Sequence, residues 1–251
     1  AKMSEQVQES SVTTSDTAGL GSFLTGLGAV IEGVRETHVR MDRVAATQFS
    51  VFRYFKRNEN IISGIFADLL RTDGSHGQGD TFLRLFLEEL DRGRDDDARY
   101  RQAAEYELAR GSFVDTEHVI GGKRRIDIVV RLGEGRKQWL VVENKPWAGE
   151  QENQLADYAA YVHERERDPR ACVVYVSGDG SHSDTIPEEK RAHYRTVSYR
   201  QGGKAADGPS IERWIRRCVE RCEADRVRWF LMDMHRYIRE VFQNEEEQED
   251  E

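Results

Sequence analysis

Arg125-Ile126-Asp127-Ile128-Val129-Val130-Arg131 is followed, after a turn at Gly133 to Gly135, by Gln138-Trp139-Leu140-Val141-Val142-Glu143-Asn144-Lys145. These two stretches set the architecture. Both are dominated by β-branched and apolar residues and read as strands with a period of two. In the first, Ile126, Ile128 and Val130 are expected on one face and Asp127, Val129 and Arg131 on the other. In the second, Trp139, Val141, Glu143 and Lys145 share a face, and Leu140, Val142 and Asn144 share the opposite one. Apolar residues on both faces mark a central, covered strand. Pro146 ends it.

Upstream, Phe113 to Ile120 is a further strand, joined to Arg125 through the hairpin signal Gly121-Gly122. Downstream, Gln151 to Arg165 has a helical period in Leu155, Tyr158, Ala159 and Val162. Ala171 to Ser177 is a fourth strand, and Tyr194 to Tyr199 a short fifth. From Pro209 to about Phe242 the chain reads as helix, broken near Glu223 to Asp225. Before the strands, helices are expected over Leu20 to Val44, Phe49 to Phe55 and Asn58 to Leu70, with Asn58 as N-cap. Another follows Asp80, also read as a cap. Gly19, Gly21, Gly26 and Gly28 match no phosphate-loop pattern, so they read as loop and helix-packing glycines. The fold class is α/β, with a mixed central sheet flanked by helices and helical additions at both ends. Residues 1–17 are expected to be disordered, 18–243 to form a single domain, and 244–251 to form an acidic disordered tail.

The 251 residues carry a net charge of -9, and 38% of them are hydrophobic. Six acids between Glu245 and Glu251 account for most of that charge. Lys123 to Lys145 has seven Lys/Arg against three acids, and Lys190 to Lys204 has five and none. Local basic patches of this kind suit nucleic-acid phosphates despite the acidic total. A solvated face is the plainer account of each. No apolar run reaches the roughly 20 residues of a membrane span. Three cysteines suit a reducing, cytoplasmic setting.

Asp127, Glu143 and Lys145 place three charges in an apolar sheet. Such charges are costly unless paired or bound to a metal. Two close carboxylates also resist ionisation together. A hard divalent cation, Mg²⁺ with Mn²⁺ as substitute, would resolve both costs. With Lys145 to steady a water or a phosphate oxygen, the set suits phosphodiester hydrolysis. The plainer alternatives are a salt bridge between Glu143 and Lys145 and a hairpin-capping Asp127.

Asp127, a gap, then Glu143-Asn144-Lys145 resembles the D-(x)n-ExK core of the PD-(D/E)XK nuclease superfamily, with Ile126-Asp127 where the pattern has Pro-Asp. Glu59, opening an early helix, resembles the Glu that completes the metal site in many members; as a plain structural residue it would only favour a helix N-terminus. Gln154-Leu155-Ala156-Asp157-Tyr158 resembles the QLxxY motif of RecB-type nucleases. Asn58 to Ser63 with His76 to Leu83 looks like a prokaryotic subfamily of the same group. The resemblance spans about Phe49 to Ser177.

It implies a restriction-endonuclease-like core. It implies that Asp127, Glu143, Glu59 and the backbone carbonyl of Asn144 ligate Mg²⁺, that Lys145 positions the water, and that Gln154 orients a phosphate or that water, supported by Tyr158. Lys123, Arg124, Arg125, Tyr158 and His76 are the candidate nucleic-acid contacts. DNA is expected over RNA as substrate, in defence against foreign DNA or in repair. A homodimer through the C-terminal helices would let two sites cut two strands. The alternative is a nuclease-like module that binds nucleic acid or a protein without cutting.

Overall fold

The computed structural model describes residues 14–46, 49–55, 57–93, 111–122, 124–133, 135, 138–147, 151–165, 172–183, 186, 194–202 and 207–243. Contacts divide the chain into two units, residues 1–50 and 51–251. In the first, α1 runs from Thr14 to Ala45. It therefore begins inside the stretch expected to be disordered. Leu20, Leu24, Leu27, Ile31 and Val34 recur along it in three- and four-residue steps, Met41 follows seven residues later, and all are exposed. A Cβ at Gly19, Gly21, Gly26 or Gly28 would meet open space, so the expected packing role of these glycines finds no contact to explain it.

The second unit opens with a 3₁₀ turn, Val51–Tyr54, in place of the helix expected there. Then follow α2 (Glu59–Leu70), α3 (Thr81–Leu90), β1 (Phe113–Ile120), β2 (Arg124–Leu132), β3 (Gln138–Lys145), α4 (Gln154–Ala160), β4 (Cys172–Ser177), β5 (Tyr194–Ser198), α5 (Ile211–Arg221) and α6 (Asp225–Gln243). Asn58 caps α2 as expected, its side chain accepting from the Ile61 amide. Asp80 precedes α3 but makes no cap bond; its carboxylate accepts from Arg84 instead. The helix expected to reach Arg165 ends at Ala160 and passes into a π turn, Tyr161–Arg165.

The five strands lie in chain order, β1-β2-β3-β4-β5. β1, β2 and β3 run antiparallel, and β4 and β5 join parallel to β3. The sheet is mixed, and β3 and β4 are buried almost throughout. One apolar layer holds Ile128, Val130, Leu140, Val142 and Val174 under Phe66, Phe86 and Trp214 from α2, α3 and α5. The other holds Ile126, Val129, Val141 and Val173 under Leu155 and Tyr158 of α4.

One expectation fails here. Ile126 packs in the α4 layer, opposite to Ile128 and Val130. The partner strand switches at the same level: Val114 lies in the α2 layer, whereas His118 meets Trp139 and Tyr161 beside the α4 layer. Between them stands Glu117 at φ +54°, a left-handed conformation that a residue with a Cβ rarely adopts. A single inverted residue reverses the side-chain alternation beyond it. Asp127 lies directly across from this point, because Thr116 pairs with Ile128 and His118 with Ile126.

Candidate active site

The pairing of β2 with β3 runs from Leu132↔Gln138 to Ile128↔Val142. One step further, Asp127 and Glu143 face each other where the two strands leave their ladder. The Asp127 carboxylate reaches across and accepts from the Asn144 amide at 2.8 Å. A pocket of about 230 Å³ opens here, lined by Asn60, Glu117, Arg124, Arg125, Asp127, Glu143, Lys145, Gln151 and Gln154.

Glu143 is wholly buried. Its Oε1 accepts from Lys145 Nζ at 2.9 Å and from Gln154 Nε2 at 2.6 Å. Its Oε2 is buried with no partner. Burial, and then the neighbouring Asp127, push this carboxyl up to about 7. Burial also raises Asp127. Burial pulls Lys145 down, but Glu143, Asp127 and Glu59 outweigh that and hold it above its ordinary value. Glu59, the first residue of α2, lies 3.5 Å from Lys145 Nζ. The ammonium thus bridges Glu143 and Glu59.

Gln154 sits one turn before Tyr158 on the buried face of α4. Its Oε1 accepts from the Gln151 amide, and its Nε2 donates to Glu143 and to the Tyr158 hydroxyl, at 2.7 Å for the latter. Gln154 therefore orients Glu143 directly. Tyr158 is fully buried and donates to the Arg125 carbonyl at 2.6 Å. Burial keeps it a phenol. Tyr158 braces Gln154 and is too deep to touch a nucleic acid, which corrects its expected role as a contact.

Asn144 points to the other layer. Its Nδ2 donates to Ser63 Oγ at 3.0 Å, and its Oδ1 accepts from the Tyr199 hydroxyl at 2.6 Å. Side chains of α2 and the chain end of β5 thereby fix the middle residue of Glu143-Asn144-Lys145. Neither Ser63 nor Tyr199 was visible as part of the site, because only tertiary packing brings them there. Glu117 was missed as well. The hairpin signal alone does not place it: counted from a two-residue Gly121-Gly122 turn it would face Ile126, and only the observed pairing of Ile120 with Arg124 sets it across from Asp127.

Arg124 reaches the pocket, but its guanidinium is held by Asp157 at 2.9 Å, Gln151 at 3.0 Å and the Glu152 carbonyl at 2.6 Å. It ties the hairpin to the start of α4. Arg125 pairs with Glu117 at 2.9 Å and is exposed. His76 stands apart. It is buried against Phe82, accepts from the Gln78 amide through Nδ1, and donates to the Arg71 carbonyl through Nε2. Both ring nitrogens serve the loop, so His76 offers nothing to a phosphate. Lys123 lies outside the described residues, as do Lys190, Arg191 and Lys204 of the second basic stretch. Trp147 stacks on Phe242 at 6.0 Å and belongs to the core wall.

A family model for the PD-(D/E)XK nuclease superfamily matches residues 47–247. The chain belongs to that superfamily. The match covers the sheet, the pocket and both C-terminal helices, and it makes the protein a nuclease-type hydrolase. No curated protein and no solved structure matches the chain.

Nucleases of this superfamily use divalent metal ions, and the residues present fit one. The donors are hard carboxylate oxygens. A buried oxygen without a partner, such as Glu143 Oε2, is costly as it stands and would be satisfied by a cation. Among the described residues no three His, Cys, Asp or Glu side chains converge closely enough to ligate an ion unaided. The Lys145 ammonium supplies positive charge between Glu143 and Glu59.

Proposed function

We propose that the protein is a Mg²⁺-dependent nuclease that hydrolyses phosphodiester bonds of DNA. The observation that carries this reading is the buried Glu143 carboxylate, with one unpartnered oxygen, facing Asp127 and held by Lys145 and Gln154. Asp127, Glu143, Glu59 and the Asn144 carbonyl would hold the ion. Bound there, it would act as a Lewis acid toward the phosphate and lower the pKa of a water. Lys145, paired with two carboxylates, stays protonated. It orients the water that attacks phosphorus and offsets the negative charge that grows as the P–O bond to the leaving oxygen breaks. Gln154 fixes the plane of the Glu143 carboxylate, and Tyr158 fixes Gln154.

The reading places the enzyme in the cytoplasm, acting in defence against foreign DNA or in repair; no helix among the described residues is long and apolar enough to cross a membrane. It includes a homodimer. α5 and α6 turn Trp214, Ile215, Leu231 and Ile238 into the core and leave Trp229 and Met232 exposed on α6, whereas α1 exposes a longer apolar series. A module that binds without cutting is the competing reading, and the complete set of Asp127, Glu143 and Lys145 favours the enzyme.

The test is cleavage of supercoiled plasmid, linear duplex, single-stranded DNA and RNA with Mg²⁺, Mn²⁺ or EDTA. Metal-dependent cutting of DNA, lost in Lys145→Ala, is expected. Cutting of RNA alone would overturn the substrate. Binding without cutting of any of the four would favour the module.

A further inference from the structure

The pocket contains more carboxylates than its cations can answer. Glu117, Asp127 and Glu143 line it, and Glu59 reaches Lys145 from α2. Each lining cation is already engaged. Lys145 is held by Glu143 and Glu59. Arg124 is held by Asp157, Gln151 and the Glu152 carbonyl. Arg125 is held by Glu117.

Glu117 is the unusual member. It is one of three residues other than glycine with a positive φ among the described residues, and the one that lies inside a strand. Glycine would occupy that conformation without strain. The ion pair with Arg125 does not explain the choice. Its side chains are 41% and 66% exposed, and exposed pairs contribute little to stability. What the position does achieve is local. It sets a carboxylate beside Asp127, close enough to raise that carboxyl further, and it cancels the most exposed cation of the pocket.

Resting on the nuclease reading above, we propose that Glu117 makes nucleic-acid entry conditional on the divalent ion. Its carboxylate neutralises Arg125 and adds negative charge beside Asp127, so a phosphate is repelled from the metal-free pocket. Once a cation offsets the carboxylates, the phosphate can take Arg125 from Glu117. Glu117 is thus a positioning residue that acts through Arg125 and through the pocket's charge.

The experiment is fluorescence anisotropy of labelled single-stranded and duplex DNA with the full chain, in EDTA and in Ca²⁺, which supplies a hard cation at the same oxygens. The wild type is expected to bind about tenfold more tightly in Ca²⁺. Glu117→Gln is expected to bind several-fold more tightly than wild type in EDTA and to lose most of the Ca²⁺ response. Its salt dependence in EDTA should steepen by about one released counterion, a slope change of roughly 0.9, and adding Arg125→Ala should remove that gain. Glu117→Gly, which also relieves the backbone, should behave as Glu117→Gln does and keeps the test readable if the Gln variant folds poorly.

Wild type and both Glu117 variants binding equally in EDTA would overturn the proposal and leave the nuclease reading standing. No binding by the wild type in either condition would overturn both.

Discussion

At the scale of single residues, the site depends on a carboxylate that its surroundings disfavour. Glu143 is buried, faces Asp127 and is pushed up from an ordinary 4.5 to about 7. The folded chain therefore holds this proton more tightly than the unfolded chain. The resulting stability is fully present below about pH 4.5 and is lost as pH rises to about 7. In metal-free buffer, the melting temperature of wild type relative to Glu143→Gln should fall between about pH 5 and about pH 8. A difference that does not change with pH would contradict the burial. The same proton must leave before a cation binds. Stabilisation by Mn²⁺ should accordingly be small at about pH 6, grow toward about pH 8, and disappear in Asp127→Ala. Lys145→Ala should lower the cleavage rate by roughly 10²–10³-fold, the usual loss when one preorganised charge is removed from a transition state. Because this substitution also leaves the buried Glu143 without its cation, the rates are to be compared at a temperature where both proteins are folded.

The residues of this centre were legible in the sequence to the extent that their spacing is local. Glu143 and Lys145 two apart on a strand, and Gln154 and Tyr158 four apart on a helix, must share a face wherever the element lies. Asp127 needed only the strand beside it. Ser63 and Tyr199 are far from Asn144 in sequence, and no period connects them. Roles were harder to read than places. His76 and Tyr158 were expected at the nucleic acid, yet both are buried with their polar atoms engaged inside the protein. A residue type announces what a side chain can bond, and only packing decides what it does bond.

At the scale of elements, the site stands on a sheet clamped from one side by α3 and α5. Glu89 and Arg213 are 2% and 5% exposed and pair at 3.0 Å. Glu89 also accepts from the Ser210 amide at the start of α5, and Trp214 donates to the Phe82 carbonyl at 3.0 Å. Removing one partner of a buried pair strands the other charge, at a cost of about 3–5 kcal/mol. Arg213→Met should therefore lower the unfolding free energy by that amount in a urea titration, with an unchanged slope. A loss below about 1 kcal/mol would mean that the pair is solvated. This clamp was invisible in the sequence, because Glu89 and Arg213 read as surface charges on amphipathic helices. The strands themselves were legible because their apolar runs are long. The reversal at Glu117 was not, since an alternating pattern assumes that no residue in the strand turns left-handed.

At the scale of the whole molecule, α1 poses a physical problem that a second copy of the chain would solve. Five glycines, Gly19, Gly21, Gly26, Gly28 and Gly33, interrupt its 32 residues, and each weakens a helix by about 0.5–1 kcal/mol relative to alanine. The same helix exposes Leu20, Leu24, Leu27, Ile31, Val34 and Met41. Their spacing forms a heptad seam, with Leu20, Leu27, Val34 and Met41 at one core position and Leu24 and Ile31 at the other. His38 continues the second series and, as a polar residue there, would favour one register. A seam of this period is complementary to another helix carrying the same seam, and an identical chain supplies one. Burying it would offset the glycines, since each large apolar side chain contributes about 1.5–3 kcal/mol when fully covered. The dimer should then depend on these positions and not on α6. Sedimentation velocity should show a dimer for the wild type at micromolar concentration and a monomer for Leu27→Glu with Ile31→Glu. Trp229→Glu, on the exposed face of α6, should stay dimeric. A monomeric wild type would remove the homodimer from the proposed function, and a dimer lost only through Trp229→Glu would move it to the C-terminal helix.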